Sequence, residues 1–458
     1  MNLVKNFLSF SIPTNNSTFS LSKVGLVLGS VAIGQWFLSD IAHIPGGGIT
    51  FFAVSAGVWW FLQSEKPKFK APKSVQGWIT RCYEVIEQFQ ILEDQEDFIK
   101  NRNKRINQLD EIINRSEPQR LAVVSTKDVD LPSKEQVYNA LTIKDSLDLS
   151  YQESLPIRNE SWPLPDCLQI QDALIYVLPL PLRAADLIWI RKVSDDQPAW
   201  ILISWEENSS WPQQFKDLQA QLPSRWSSRI LRWNGSLEEI ESVLNPVRRL
   251  LTQPKSNIDT TKQRLLSRLH VDLQSDLEGL RREKFKLIQN RSQWIVAGAV
   301  FTSPIPSGDL LSVAVVNGLM INEMSNIWSC KIKPELLQVV AQKLACAAIA
   351  QGVVEWSGQA LLGFAKLHGG TWLAAGSMQA LSAAYLTRVV GRSMADWMAL
   401  NNGVSELDLE LLDKQASQLV VKASEKERLD WVGFIKQGKN WMEDQLKESS
   451  INKQILGT

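Results

Sequence analysis

RLAVVSTKDVDLPSKEQVYNAL, Arg120 to Leu141, sets the terms for the fold. An apolar strand, a polar loop and a helical segment follow one another in the order of a phosphate-binding loop. A working loop of that kind reads G-x-x-x-x-G-K-[ST], because glycines let backbone N–H groups close round the phosphates, the lysine neutralises them and the hydroxyl holds magnesium. Here the loop runs from Ser125 through Lys127, Asp128 and Asp130 to Pro132 and Ser133. It has no glycine, Pro132 brings no N–H donor, and two carboxylates would face a polyphosphate. Ser125, Lys127, Asp128 and Ser133 are therefore degenerate nucleotide-site positions, and taken alone the stretch is a strand followed by a helix.

Working outward, apolar strand-like runs alternate with helix-like segments as far as Leu251, which predicts a sheet covered by crossover helices. The strands fall at Leu121–Val124, Ala173–Leu178, Trp200–Ile203 and Arg229–Trp233, and the helices at Lys134–Leu141, Ala184–Val193, Gln213–Leu222 and Leu237–Leu251. Asn234 and Gly235 make a turn, Ser236 caps the last helix, and Glu239 completes a capping box.

Composition bounds the rest. A chain of 458 residues predicts two or three folding units. The 49 basic and 49 acidic residues balance, so no nucleic-acid footprint is expected. Cys82, Cys167, Cys330 and Cys346 show no C-x-x-C spacing, and His43, His270 and His368 lie far apart. That pattern predicts neither a disulfide frame nor a metal site, and no cofactor is expected. The 18 tryptophans include Trp36, Trp59, Trp60, Trp294, Trp328, Trp356, Trp372 and Trp397 beside apolar segments, where indole rings favour a membrane interface.

Val24–Ser39 and Ile41–Ser64 carry no charge and are separated by Asp40, with a Pro45, Gly46, Gly47, Gly48 break. Each approaches the length needed to cross a bilayer, which predicts an N-terminal transmembrane helical hairpin. Lys5 and Lys23 before it, and Lys66, Lys68, Lys70 and Lys73 after it, place both ends in the cytoplasm. The rival, a cleaved signal peptide, predicts a shorter apolar core with no second run. From Val75 to Arg115 the apolar spacing turns helical, as a stalk or a pair of helices packed on the next domain.

Beyond Asn290 the chain is apolar and helical. Pro304 and Pro306 break one stretch into halves of about 12 residues, too short to span, which predicts a re-entrant or interfacial element. Ser307 is placed to cap a helix starting near Asp309. Leu344–Ala365, interrupted only by Glu355, and the uncharged Leu367–Thr387 have spanning length, and their Ala, Gly and Ser content suits close helix packing in a membrane or out of it. Asp309 and Glu355 are candidate membrane-domain functional residues, with Pro304 and Pro306 shaping the break. The plainer alternatives are a cap for Asp309 and a polar helix junction or water for Glu355, or its pairing with Arg388 or Arg392. Glu406–Lys422 and Glu425–Lys447 predict amphipathic helices with a frayed end.

Two resemblances add to this. The region from Arg120 resembles an Era-like GTPase domain: ALIYVLP, from Ala173, resembles the strand after the second switch, and ILISWEE, from Ile201, the strand ending in the guanine-reading N-K-x-D motif. Ser204, Trp205, Glu206 and Glu207 stand where that motif would be, and no D-x-x-G precedes Ala173. Losing one charge-assisted hydrogen bond costs roughly 1.5–3 kcal/mol, and about 1.4 kcal/mol is tenfold in affinity, so failure of three stations removes useful GTP binding. WIVAGAVFTSPIPSGDLLSVAVVNGLMINEM, Trp294 to Met324, resembles the YcjF-type membrane domain of unknown function that often follows an Era-like GTPase in bacterial and cyanobacterial chains.

The expected architecture is α/β plus all-α. It comprises a membrane hairpin (1–70), a helical stalk (71–118), a degenerate P-loop GTPase-like α/β domain (119–253), an apolar helical domain (254–402) and charged C-terminal helices (403–458). The resemblance implies membrane association and a place beside GTPase domains, and supplies no activity; with the failed motifs and the charge pattern, the expected protein is a non-enzymatic, multi-pass integral membrane protein with its bulk in the cytoplasm, at a plasma or thylakoid membrane if cyanobacterial. It would act as a scaffold or regulatory partner, touching the lipid bilayer and a protein partner such as a GTPase or a membrane complex. Transport through the apolar helices and weak GTPase activity are the alternatives.

Overall fold

The structure is a computed structural model that describes residues 71–126, 131–141, 147–152, 155, 164–204, 211–302, 306–330, 334–368, 375–401 and 409–456. The expected N-terminal hairpin lies outside the described residues.

Two helices open the described chain, α1 (Val75–Gln88) and α2 (Gln95–Ile113). Ser74 caps α1 by accepting from the Gly77 N–H at 3.1 Å. Its buried face, Trp78, Cys82, Val85 and Ile86, follows the helical spacing of the sequence and packs with Phe89 and Leu109.

The α/β region follows. β1 (Gln119–Ser125), β2 (Leu147–Tyr151), β3 (Ala173–Leu178), β4 (Ala199–Ser204) and β5 (Ile230–Trp233) form one sheet in the order β2-β1-β3-β4-β5, every neighbour parallel. The crossovers carry α3 (Lys134–Ala140), α4 (Asp166–Gln169), α5 (Ala184–Lys192) and α6 (Trp211–Gln221), and α7 (Leu237–Val243) and α8 (Asn245–Leu251) close the region. Alternate strand residues serve opposite cores: Ala122, Val124, Leu174 and Tyr176 on one face, Leu121, Val123, Ile175 and Val177 on the other. A parallel sheet covered on both faces needs such continuous apolar runs. β2 lacks one, since only Leu149 of its five residues is buried. The helix expected over Leu237–Leu251 is two, because Pro246 brings no N–H and the chain turns at Leu244.

A single 49-residue helix, α9 (Pro254–Thr302), about 73 Å long at the usual helical rise, runs from this region into the next. Near its start Asn257 donates to the Gln119 side chain (2.9 Å) and Lys262 to the Ile113 carbonyl (2.7 Å). Arg264 donates to the Gln171 carbonyl (2.7 Å), and burial lowers that guanidinium to a pKa of about 10. Leu266, Leu273 and Leu277 pack against α1. Farther on, buried Arg281 donates to the Gln88 side chain (2.6 Å) and the Ile327 carbonyl (3.2 Å).

Around the second half of α9 pack α10 (Pro306–Ile327), α11 (Pro334–Ala350), α12 (Val353–His368), α13 (Ala375–Asn401), α14 (Leu409–Leu429) and α15 (Trp431–Leu456). Several expectations are corrected here. The halves flanking the proline break are the end of α9 and a 22-residue helix that starts at Pro306, so Ser307 lies inside the helix it was expected to cap. Leu344–Ala365 is not one helix: it breaks at Gly352, whose φ of +68° an L side chain rarely adopts. Likewise α12 ends at His368 and α13 begins at Ala375 within the expected Leu367–Thr387 span. No helix among the described residues is long and apolar enough to cross a membrane.

Several tryptophans among the described residues turn inward as well. Trp294 stacks on Phe434 (5.9 Å between centroids) and Trp441 (5.6 Å), Trp356 meets Tyr385 (5.4 Å) and Trp431 (5.0 Å), and Trp328 is fully buried. Gly438 lets α15 approach Leu381, since a Cβ there would come within 2.8 Å of Leu381 Cδ2. Ala416, Leu419, Val420 and Ala423 of α14 supply the amphipathic face expected of that segment.

Candidate functional site

Open parallel sheets bind ligands beyond the carboxyl ends of their strands where the strand order reverses, here between β1 and β3. Ser125 closes β1 and is buried. Thr126, next in the chain, bridges to Leu155 and points its hydroxyl at Asp186 on α5, donating to Oδ1 at 2.9 Å. The Tyr176 hydroxyl of β3 donates to the same oxygen at 2.8 Å. Asp186 is wholly buried, and its Oδ2 has no hydrogen-bond partner. It sits in the first turn of α5, where the helix dipole favours negative charge. Burial, then the Asp186 charge and its hydrogen bond, raise the Tyr176 phenol far above its ordinary pKa, so Tyr176 is a permanent donor. The three side chains thus bond one another in the buried layer beside the switch point.

Of the other degenerate positions, Ser133 is equally committed. Ser133 is the N-cap of α3 in a complete capping box: its hydroxyl accepts from the Gln136 N–H (3.2 Å), and its own N–H donates to Gln136 Oε1 (2.8 Å). Tyr151 ties the edge strand to this turn by donating to the Pro132 carbonyl at 2.7 Å, and burial lifts its phenol to about 12. Ser204 ends β4, exposed, in register with Trp233. Lys127, Asp128 and Glu207 lie outside the described residues. Ser125, Ser133 and Ser204 share the carboxyl side of the sheet, but β3 separates β1 from β4. The predicted box at Ser236 is half formed: its hydroxyl accepts from the Glu239 N–H (3.3 Å), while the Glu239 carboxylate takes the Asn234 N–H (2.8 Å).

In the helical region Glu355 is exposed in the first turn of α12, a place the helix dipole explains, not mid-way along an apolar span. Pro306 is the first residue of α10 and Asp309 its fourth, while Pro304 lies outside the described residues. Arg388 and Arg392, the bases considered for Glu355, belong to another carboxylate. Glu427 of α14 is wholly buried and accepts from Arg388 Nε at 2.6 Å and, through its other oxygen, from Arg392 Nε. Arg388 Nη2 also reaches Asp430 Oδ2 at 2.6 Å. A second chain of charges lies nearby: Arg282 joins Glu278 (2.6 Å) and Asp396 (2.7 Å), and Glu278 accepts from the Trp328 indole (3.0 Å).

Asp186, Thr126, Tyr176 and Glu427 were not anticipated. A carboxylate one turn into a helix resembles any solvated residue, and the partners of Glu427 stand 35 and 39 positions away. Among the described residues no group of His, Cys, Asp or Glu is arranged to hold a metal ion.

Residues 264–425 match a DUF697 domain, a domain of unknown function. The match covers about a third of the chain, begins inside α9 and ends inside α14. It agrees with the YcjF-type expectation for this part, and the Glu427 network joins the DUF697 segment to α14 just beyond its end. No curated protein and no solved structure matches the chain.

Proposed function

We propose that this chain is a non-enzymatic scaffold or regulatory partner, in which a degenerate Era-like α/β region and a DUF697 helical domain are held along one helix. The observation that carries the reading lies beside the switch point: Thr126, Tyr176 and Asp186 are buried and hydrogen-bonded to one another there, and the Ser133 hydroxyl caps a helix. An α/β region without turnover still presents its helices to a partner, and α9 ties that surface to the helical domain. The apolar runs Val24–Ser39 and Ile41–Ser64 support a bilayer anchor with the bulk of the chain on the cytoplasmic side.

Calorimetry of the full-length chain with GTP, GDP and ATP in magnesium tests the first half, with no binding expected; a micromolar dissociation constant for any of them overturns it. Deleting residues 24–62 is expected to weaken retention in carbonate-washed membranes. Affinity capture from native membranes is expected to recover the same protein partner with wild type and with Glu355→Gln. A solute or ion flux that depends on Glu355 would instead support transport, a reading weakened by the exposed helix-end position of that residue.

A further inference from the structure

One outer face of the helical domain carries no charge where a solvated helix ordinarily would. Along α10, Val315, Gly318, Leu319, Asn322 and Asn326 are all exposed, and none is ionisable. Their spacing of three and four residues puts them on one side of the helix. On α9, Leu287, Arg291 and Ile295 follow at four-residue steps and are exposed as well. Leu287 and Leu319 are bare over two-thirds of their surface, at 67 % and 66 %. Three residues join the two helices, and Arg291 pairs with Glu323 across them. One turn nearer the connection, that register sets Ile295 abreast of Leu319.

The chemistry of the face selects what covers it. A Cβ at Gly318 would meet nothing within 4 Å, so the chain's own packing does not require a glycine there. Glycine inside a helix lowers its stability, and the gain is that another backbone can come close. Asn322, one turn along, carries both donor and acceptor groups and so can bond a second asparagine. An amide left unmet in hydrocarbon is costly, which makes lipid a poor occupant. The charges bordering the face are of both signs: Glu283, Lys284, Lys286 and Arg291 on α9, with Glu323 on α10. A partner surface of one sign would repel part of that border. A second copy turned about a two-fold axis brings the same mixture, reversed, and matches it.

We infer that this face is a two-fold interface between two copies of the chain. The axis passes close to Gly318 and Asn322, so that Asn322 of each copy bonds its counterpart, while Leu287, Ile295, Val315 and Leu319 exclude water around it. Dimer formation needs neither nucleotide nor the protein partner proposed above.

Sedimentation of the full-length chain in detergent, at micromolar concentration, is expected to show a dimer. Leu319→Glu sets a charge against its own copy at an exposed site and is expected to raise the dissociation constant about tenfold or more, with helical content by circular dichroism unchanged. Gly318→Leu, for which the fold has open space, carries the same expectation should the first variant fail to fold. Cross-linking locates the axis. In a chain with Cys167, Cys330 and Cys346 replaced by serine, which leaves only the buried Cys82, Asn322→Cys is expected to give an intermolecular disulfide with copper phenanthroline. Glu135→Cys, exposed on α3, is the control and is expected to give none. A monomeric wild type, a dimer that both Leu319→Glu and Gly318→Leu leave intact, or cross-linking no stronger at Asn322→Cys than at Glu135→Cys overturns the inference.

Discussion

Asp186 in the α/β region and Glu427 in the helical domain are both completely buried carboxylates, yet they are satisfied in opposite ways. Asp186 receives two hydroxyl donors on one oxygen and none on the other. Glu427 receives an arginine on each oxygen. Neutral donors leave a buried charge costly, whereas guanidiniums match it and bind three segments together: α13, α14 and the turn into α15. The helical domain therefore depends on its buried charge for cohesion. The sheet depends on apolar strands covered on both faces, and the polar group near the carboxyl ends of its strands is one it could dispense with.

The largest effect expected from this contrast is Glu427→Gln, which leaves Arg388 and Arg392 without their shared counter-charge in the core. Breaking a buried pair on one side costs about 3–5 kcal/mol. Denaturant unfolding of the full chain should show that loss. A change below about 1 kcal/mol, the size usual for a surface pair, would mean the network contributes little cohesion.

Next come two substitutions at the sheet. Tyr176→Phe removes a donor and leaves Asp186 with Thr126 alone, at an expected cost of about 1–3 kcal/mol. Asp186→Asn keeps an acceptor for both hydroxyls while removing the charge, and is expected to change stability by less than about 1 kcal/mol in either direction. The order of these two sharpens the comparison: should Asp186→Asn cost as much as Glu427→Gln, Asp186 has a cationic partner in solution and the two carboxylates are alike.

The sheet was largely legible in the sequence because Leu121–Val124, Ala173–Leu178 and Trp200–Ile203 are continuous apolar runs, which a doubly covered parallel sheet demands. β2 was missed because an edge strand buries only Leu149. Ser133 was measured against a magnesium-binding hydroxyl, and that hid its ordinary capping box with Gln136. Farther along, hydropathy could not separate one spanning helix from α11 and α12: both readings need Ala, Gly and apolar residues, and the break rests on the backbone of Gly352. The tryptophans misled for a related reason. An amphipathic ring suits a membrane interface and also an internal stack such as Trp294, Phe434 and Trp441.

A smaller effect lies on the helix that joins the two regions. His270 of α9 is buried against Trp78, ring to ring at 5.7 Å. Burial first, then the charge of Arg81, lowers its pKa below the ordinary 6.5, with Glu84 opposing. Above pH 6.5 the imidazole is neutral in both states and stability is at its full value. As pH falls below that, the unfolded chain binds its proton first and stability declines towards the folded pKa. His270→Phe, which retains a ring against Trp78, should flatten this part of the Tm–pH profile relative to wild type; parallel profiles would locate the acid sensitivity elsewhere.

The smallest effect expected is at Glu355, and it bears on which region carries the function. The side chain is exposed in the first turn of α12, and Arg388 and Arg392 are taken by Glu427. Glu355→Gln therefore removes only a favourable interaction with the helix dipole, about 0.3 kcal/mol. Thermal unfolding should be indistinguishable from wild type within about 1 °C, given the usual conversion for a chain of this size. A fall of several degrees would mean that Glu355 neutralises a cation or a base under solution conditions. The transport alternative would then gain the ionisable group that its present exposed position does not supply.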